Sequence, residues 1–336
     1  MPRMRELHLI APGLAAWREA PHGELLRMPG LEKLLACGHI RSSEVSLADI
    51  LCQAFAVARQ QDAPLAPITA LYDGLDSRQG YWLRADPAHL QLGMRGVTLL
   101  DAGHVGLTAE ESGALAAALQ PLFAAAAWRL HAPYPGRWYA SSAEPIELKT
   151  TPIDQVATRH VNSALPVGPS AAQVMRLIND AQIILHDHPV NQAREARGQA
   201  PINSLWLWGG GEMPNPMPKL MAKTDRNFRQ VLAAQPEALA LAAFTHIRSG
   251  PCPGRFDALP DADSTLLVLP DFPAYASSED AARLDADWFT PLLRGLRRGR
   301  IRAATLTLTG PEGQSAGIGM LDAWKFWKRP AVAGPD

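Results

Sequence analysis

A handful of arginines, asparagines and one serine are the residues of this chain whose types and spacing bear on chemistry. Asn191, Arg194 and Arg197 follow at three-residue intervals on a short polar segment. Directly after it, residues 202–208 form an apolar strand that runs into Gly209, Gly210 and Gly211. A strand ending in glycines beside arginines is where α/β proteins tend to hold anions, because the backbone there approaches a ligand closely and offers N–H groups. A planar guanidinium suits bidentate binding of phosphate or carboxylate, and equally suits an interdomain or surface salt bridge. Asn203, at the start of the same strand, is placed to orient the glycine loop or to touch a ligand. Ser46 opens a helical pattern, where it either caps the helix or faces a phosphate favoured by the helix dipole. His186 and His188 flank Asp187, but positions two apart on a helix do not face each other, so no metal cluster is expected there.

The elements that must position these residues can be read from periodicity. Ser170 with Gln173 has the form of a capping box, and Val174, Leu177, Ile178, Ala181, Leu185 and His188 follow one helical face until Pro189 stops it. Residues 6–10 read as a strand, 31–36 as a short helix, and Leu47, Ile50, Leu51, Ala54, Phe55 and Ala58 as an amphipathic helix. Strands are expected at 81–84, 97–100, 128–130 and 137–140, with Thr108 and Glu111 capping a helix to 123. Residues 215–218 read as a proline-laced loop, 228–246 and 279–298 as helices, and 265–269 and 301–309 as strands. Trp206 and Trp208 alternate with Leu205 and Leu207 and read as core. The aromatic and cationic tail, 324–329, reads as a surface-packed terminus, with a phosphate or partner contact as the alternative. Around 73–80 the composition turns polar and glycine-rich, which marks a domain boundary.

Composition narrows the function classes. With 336 residues and 47% hydrophobic content, the chain has enough apolar material for a large core. It carries 32 basic and 33 acidic residues, a formal net charge of -1, so no global field favours nucleic acid or an acidic membrane. Cys37, Cys52 and Cys252 are odd in number and lack metal-type spacing, which points away from a disulfide framework and toward a reduced cytoplasmic protein. No run has the length of a membrane span, and the first residues lack the apolar core of a signal peptide.

Several motifs carry a resemblance. LP-x-G at residues 165–168, HPVN-x-x-R at 188–194, Gly198 and N-x-x-W-L-W-G-x-G at 203–211 resemble the corresponding run of the archaeal-type cofactor-independent phosphoglycerate mutases. LRAD at 83–86, Asp101 with Gly103, TTP at 150–152 and PGLEKLLACG at 29–38 resemble further segments of that family in the same order. WLRADP and NSLWLWGGG are closer still to a bacterial branch, the RpfE-like regulatory proteins. The resemblance implies an α/β fold of the alkaline-phosphatase type: a three-layer core (1–78 and 200–336) with a smaller inserted α+β domain (79–199) that handles substrate. It assigns Arg84, Asn191, Arg194, Arg197 and Asn203 to substrate binding and Ser46 to the nucleophile. In the active family two divalent metals, such as Mn or Zn, activate nucleophile and phosphate.

The ligands for those metals do not line up. The family's Asp-Gly after the first strand is matched by Pro12-Gly13, its D-x-x-x-H by a lone Asp271, and its late Asp-His by Thr309-Gly310. The Pro-His of its T-T-P-P-H segment is replaced by Ile153-Asp154. No bound metal cofactor is therefore expected. Two functions remain open: a regulatory protein that binds a phosphorylated small molecule or a protein partner, and an active mutase or related phosphoryl-transfer enzyme working through Ser46.

Overall fold

Leu7, Leu9 and Ala11 on one face of the first strand, β1 (Arg5–Ala11), and His8 and Ile10 on the other are all buried. A strand of this kind needs cover on both faces, the condition of a parallel sheet. In the computed structural model β1 is the central strand of seven. The order is β2-β12-β11-β1-β10-β8-β9, where β2 is His39–Ser42, β8 Gln230–Ala233, β9 Arg248–Pro251, β10 Ser264–Val268, β11 Ile301–Leu308 and β12 Gln314–Gly319. Strands β11, β1, β10, β8 and β9 run parallel, and β12 and β2 close one edge antiparallel. The structure describes residues 5–17, 26–42, 46–93, 96–101, 105–156, 161–215, 228–273, 276–310 and 313–328. Gly103, Pro216 to Pro218, Tyr275 and Arg329, which the sequence reading touched, lie outside them.

Helix α1 (Pro29–Cys37) lays Leu31, Leu34 and Leu35 into a core shared with Leu9, Leu267, Leu306, Phe289, Leu292 and Leu296. The predicted helix at 279–298 is interrupted: a π-helical turn, Asp285–Phe289, separates Ser278–Leu284 from Thr290–Arg297. That turn has a structural use. Met28 gives α1 no side-chain cap, and buried Asp285 accepts instead from the amides of Gly30 (3.0 Å) and Leu31 (2.9 Å) and from the Thr290 hydroxyl (2.8 Å). Asp285→Ala orphans two buried helix donors and is expected to cost about 2 kcal/mol, read as a lower urea midpoint at unchanged slope.

The chain clusters into two units, residues 1–47 with 224–336 and residues 48–223. The sequence reading drew the division at 79 and 199, and strand pairing moves it. Strand β7 (Ser204–Glu212), expected in the larger unit, pairs along β3 (Tyr81–Gly93) in the second sheet, and α3 (Leu65–Tyr72) packs on both strands. The other edge of β3 is shared by β6 (Arg137–Ser142) over residues 81–84 and β4 (Gly96–Asp101) over 88–93, and β5 (Arg129–Tyr134) lies beyond β6. Pro87 sits at the break between those two partners, where a residue without an N–H donor is tolerated inside a long strand.

Three further local readings change. The stretch at 228–246 splits into β8 and a helix, Pro236–Phe244, because QVLA is drawn into the parallel sheet beside β10. Ser170 precedes helix Ala171–His186 without a side-chain cap bond. Pro189 does not merely end that helix: it is the first residue of another, Pro189–Ala196, capped by His188 Nδ1 accepting from Val190 N (3.2 Å).

Candidate functional site

Alternation along β3 places Trp82, Arg84 and Asp86 on one face and Tyr81, Leu83 and Ala85 on the other. Residues i and i+2 meet, and the Arg84 guanidinium closes on Asp86, with Nε to Oδ1 at 3.0 Å and Nη2 to Oδ2 at 2.8 Å. Both side chains are buried. The guanidinium lies 4.8 Å from the Trp208 ring and 5.5 Å from the Tyr139 ring. Asp86 also accepts from Trp208 Nε1 (2.8 Å) and the Trp138 amide (3.2 Å). Trp208 is therefore core, as the alternation implied, and also a platform for the protein's own arginine. Beside it, Asp73 accepts from Tyr139 Oη (2.6 Å) and from Arg137 Nε (2.5 Å) and Nη2 (2.7 Å). Burial pushes the Tyr139 phenol well above its ordinary range, so it remains a donor.

The two arginines of the polar segment, Arg194 and Arg197, come together around a different carboxylate. Arg194 is fully buried: Nε donates to Ala200 O (2.9 Å), Nη1 to Glu111 Oε2 (2.6 Å) and Nη2 to Val105 O. Arg197, whose side chain is 54% exposed, donates to Glu111 Oε1 (2.7 Å) and to Gln199 Oε1 (3.0 Å). Glu111 is the third residue of helix α4 (Ala109–Ala125) and completes a reciprocal capping box with Thr108, as expected from sequence. Asn191 joins two elements: Nδ2 donates to Leu185 O and Ile202 O, each at 2.7 Å, and Oδ1 accepts from Ile202 N (2.8 Å). Asn203 imitates a peptide group, accepting from Leu90 N (2.7 Å) and donating to Leu90 O (2.9 Å).

Burial works to raise the Glu111 carboxyl, but the Thr108 amide, the Arg194 bond and the Arg197 charge outweigh it and hold it below its usual range. A carboxylate depressed in the folded state adds stability that is complete above its unfolded pKa, about 4.3, and is lost as pH falls through the lower folded value. Glu111→Gln is accordingly expected to flatten the acid limb of a stability-versus-pH curve below about pH 4.3, a change that urea melts across that range would show.

The glycine run is strand, not loop. A Cβ on Gly210 would lie 2.4 Å from Tyr81 Oη, and one on Gly211 2.7 Å from Gln60 Oε1, so these glycines admit neighbouring side chains against β7. Near them, buried Asp62 accepts from the Thr150 amide (3.0 Å) and hydroxyl. Desolvation raises its carboxyl, with the Thr150 bonds opposing. Ser46 belongs to the unit of residues 1–47 and 224–336, buried immediately before α2 (Leu47–Ala54). Within the unit of residues 48–223 the structure thus joins Arg194 and Arg197 on Glu111 and leaves Arg84 and Asn203 with other partners. Asp86, Asp73 and Asp62 were missed in the sequence; only Asp86, two residues from Arg84 on a strand, carried a signal.

In open α/β sheets ligands bind beyond the carboxyl ends of the parallel strands. Here those ends present Pro12-Gly13 after β1, Leu269 to Phe272 after β10 and Thr309-Gly310 after β11. Gly13, at φ 72°, donates to Thr309 Oγ1 (3.4 Å), and the Phe272 amide donates to Pro12 O (2.9 Å). Gln235 Nε2 donates to Leu269 O (2.7 Å), while its buried Oε1 has no partner among the described residues.

No family model matches the chain. Individual relatives do. A probable 2,3-bisphosphoglycerate-independent phosphoglycerate mutase of Geobacter sulfurreducens is 33% identical over 67 residues, 20% of this chain and 17% of that protein. The corresponding mutase of Methanosarcina barkeri is 35% identical over 80 residues, 23% of this chain and 20% of that protein. The matched segment therefore spans a fifth or less of these relatives. Among solved structures, the cofactor-independent phosphoglycerate mutase of Thermoplasma acidophilum aligns over 94% of this chain and 90% of its own, at 17% identity and a TM-score of 0.44. A Pyrococcus horikoshii protein aligns over 95% and 88%, at 16% identity and a TM-score of 0.49.

The relatives are phosphoglycerate mutases. The metal pair implied by that likeness calls for a dense set of Asp and His at the strand ends. Asp271 is the one carboxylate among the strand-end residues named above, and no three His, Cys, Asp or Glu among the described residues are grouped to hold a metal ion. Burial pushes the Cys52 thiol up to about 12, with Asp49 adding to it, and the Cys252 thiol up to about 11. No helix among the described residues is long and apolar enough to cross a membrane.

Proposed function

We propose that this chain is a phosphoglycerate-mutase-like protein of the alkaline phosphatase superfamily, of the RpfE-like kind, that works by binding and not by phosphoryl transfer. The observation that carries this reading is the donor-poor set of strand ends, where Pro12, Gly13, Thr309 and Gly310 stand in the places a metal-dependent enzyme needs acids and histidines. Without a metal pair, a phosphoryl transferring to Ser46 would lack the charge neutralisation that two divalent cations supply. The protein then acts as a regulator, sensing a phosphorylated small molecule or holding a protein partner. Arg197, half exposed at the Glu111 cluster, is the arginine best placed to contribute an anion contact.

Metal content by mass spectrometry on protein purified without chelator, with melting curves in added Mn²⁺ or Zn²⁺, tests this reading. Substoichiometric metal and no thermal shift are expected. Phosphoglycerate should then bind without turnover, more weakly in Arg197→Ala and unchanged in Ser46→Ala. Stoichiometric metal with mutase turnover that Ser46→Ala abolishes would overturn the proposal in favour of an active enzyme.

A further inference from the structure

The charge balance of the whole chain conceals a local segregation over residues 298–328. Four large apolar side chains close to one another in sequence are turned to solvent: Leu321 (78% exposed), Trp324 (57%), Phe326 (79%) and Trp327 (65%). Contiguous apolar groups of this size on a soluble protein mark an interaction surface.

They are held there by their backbone. Lys33 Nζ, on α1, donates to the carbonyls of Lys325 (3.0 Å), Phe326 (3.2 Å) and Lys328 (2.6 Å). Arg297 Nε donates to Ala323 O (2.9 Å), and Asp322 accepts from the Gly319 amide (2.9 Å) and from Lys325 Nζ (2.5 Å). A terminus that only packed on the surface would turn its rings inward. This one fixes the main chain and presents the rings outward, which lowers the ordering cost of docking.

The adjoining segment is basic. Arg298, Arg300 and Arg302 are exposed, as is Lys328, and the segment is tied to the aromatic turn by Met320 N donating to Arg302 O (3.0 Å). Asp322, the acid in the turn, is already engaged by Lys325. Tryptophan, phenylalanine and leucine beside exposed arginine and lysine are the pairing that seats a protein at the interface of an anionic bilayer, rings among the acyl boundary and cations at the headgroups. A single-stranded nucleic acid fits less well: Phe326 and Trp327 meet edge-on (5.2 Å, 83°) and do not offer parallel faces to successive bases, and Leu321 offers none.

We propose that the face formed by Leu321, Trp324, Phe326, Trp327 and the Arg298 to Arg302 segment docks on an anionic lipid surface. The test is co-sedimentation of the full chain with phosphatidylcholine vesicles, with and without phosphatidylserine. Binding is expected to require phosphatidylserine and to fall steeply with salt. The triple variant Arg298→Gln, Arg300→Gln, Arg302→Gln should weaken it roughly a hundredfold. Trp324→Ala, Phe326→Ala, Trp327→Ala should weaken it comparably, with melting temperatures unchanged in both because the altered side chains are exposed. If one variant fails to fold, the other decides. Failure to sediment with phosphatidylserine vesicles overturns the proposal, as does binding that a folded variant leaves intact. A concentration-dependent dimer dissolved by the aromatic variant, or retention on single-stranded RNA, in the absence of vesicle binding overturns it equally and names the occupant.

Discussion

Asp86→Ala is expected to destabilise the unit spanning residues 48–223 by roughly 3–5 kcal/mol, and Arg84→Ala by less. Both residues belong to one buried ion pair, but removing each leaves a different debris. Without Arg84, Asp86 keeps the Trp208 and Trp138 donors, so its charge stays partly satisfied. Without Asp86, those two N–H groups are orphaned at about 1–3 kcal/mol each, and the buried Arg84 cation loses its bidentate carboxylate. The order of urea midpoints, Asp86→Ala lowest and Arg84→Ala between it and wild type, is the measurement. Equal midpoints would mean that the tryptophan donors find water once the carboxylate is gone.

Arg194→Ala is the second large effect, again on the order of 3–5 kcal/mol. It removes a fully buried cation, leaves the carbonyls of Val105 and Ala200 without their donor, and leaves Glu111 Oε2 with the Thr108 amide but without the guanidinium. Arg194→Lys should recover little, because an ammonium cannot span three acceptors that lie around a planar fork. Arg197→Ala, removing a half-exposed partner of the same carboxylate, should cost about 1 kcal/mol or less. The contrast separates two roles that the sequence placed side by side. Loss of phosphoglycerate binding in Arg197→Ala at unchanged stability would speak for a ligand contact; loss in Arg194→Ala would follow from the damaged fold.

These predictions show why the candidate site was only partly legible. The type of each arginine could be read, and so could the chemistry a guanidinium supports. Which acceptor it meets could not. Glu111 lies 83 positions from Arg194 in the chain, and Asp73 lies 64 from Arg137, and nothing local to either arginine announces those carboxylates. The short-range pair Arg84 and Asp86 was legible in principle, because two residues apart on a strand share a face. The glycine run misled for a similar reason: Gly210 and Gly211 are small because Tyr81 and Gln60 press on them, a crowding that exists only after β3 and a distant loop have been folded against β7.

What the sequence determined by itself is whatever depends on neighbours a few residues away. Helices with one apolar face, such as Ala171–His186, the Thr108–Glu111 capping box, and the apolar central strand β1 all follow from spacing and propensity. The likeness to phosphoglycerate mutases also came from the chain alone. Tertiary structure decided the rest: that β7 belongs to the second sheet, that Pro189 starts a helix, that QVLA is a strand beside β10, and that a π-helical turn lends Asp285 to the amides of α1. In each case two local conformations were close in energy, and burial against a partner far along the chain chose between them.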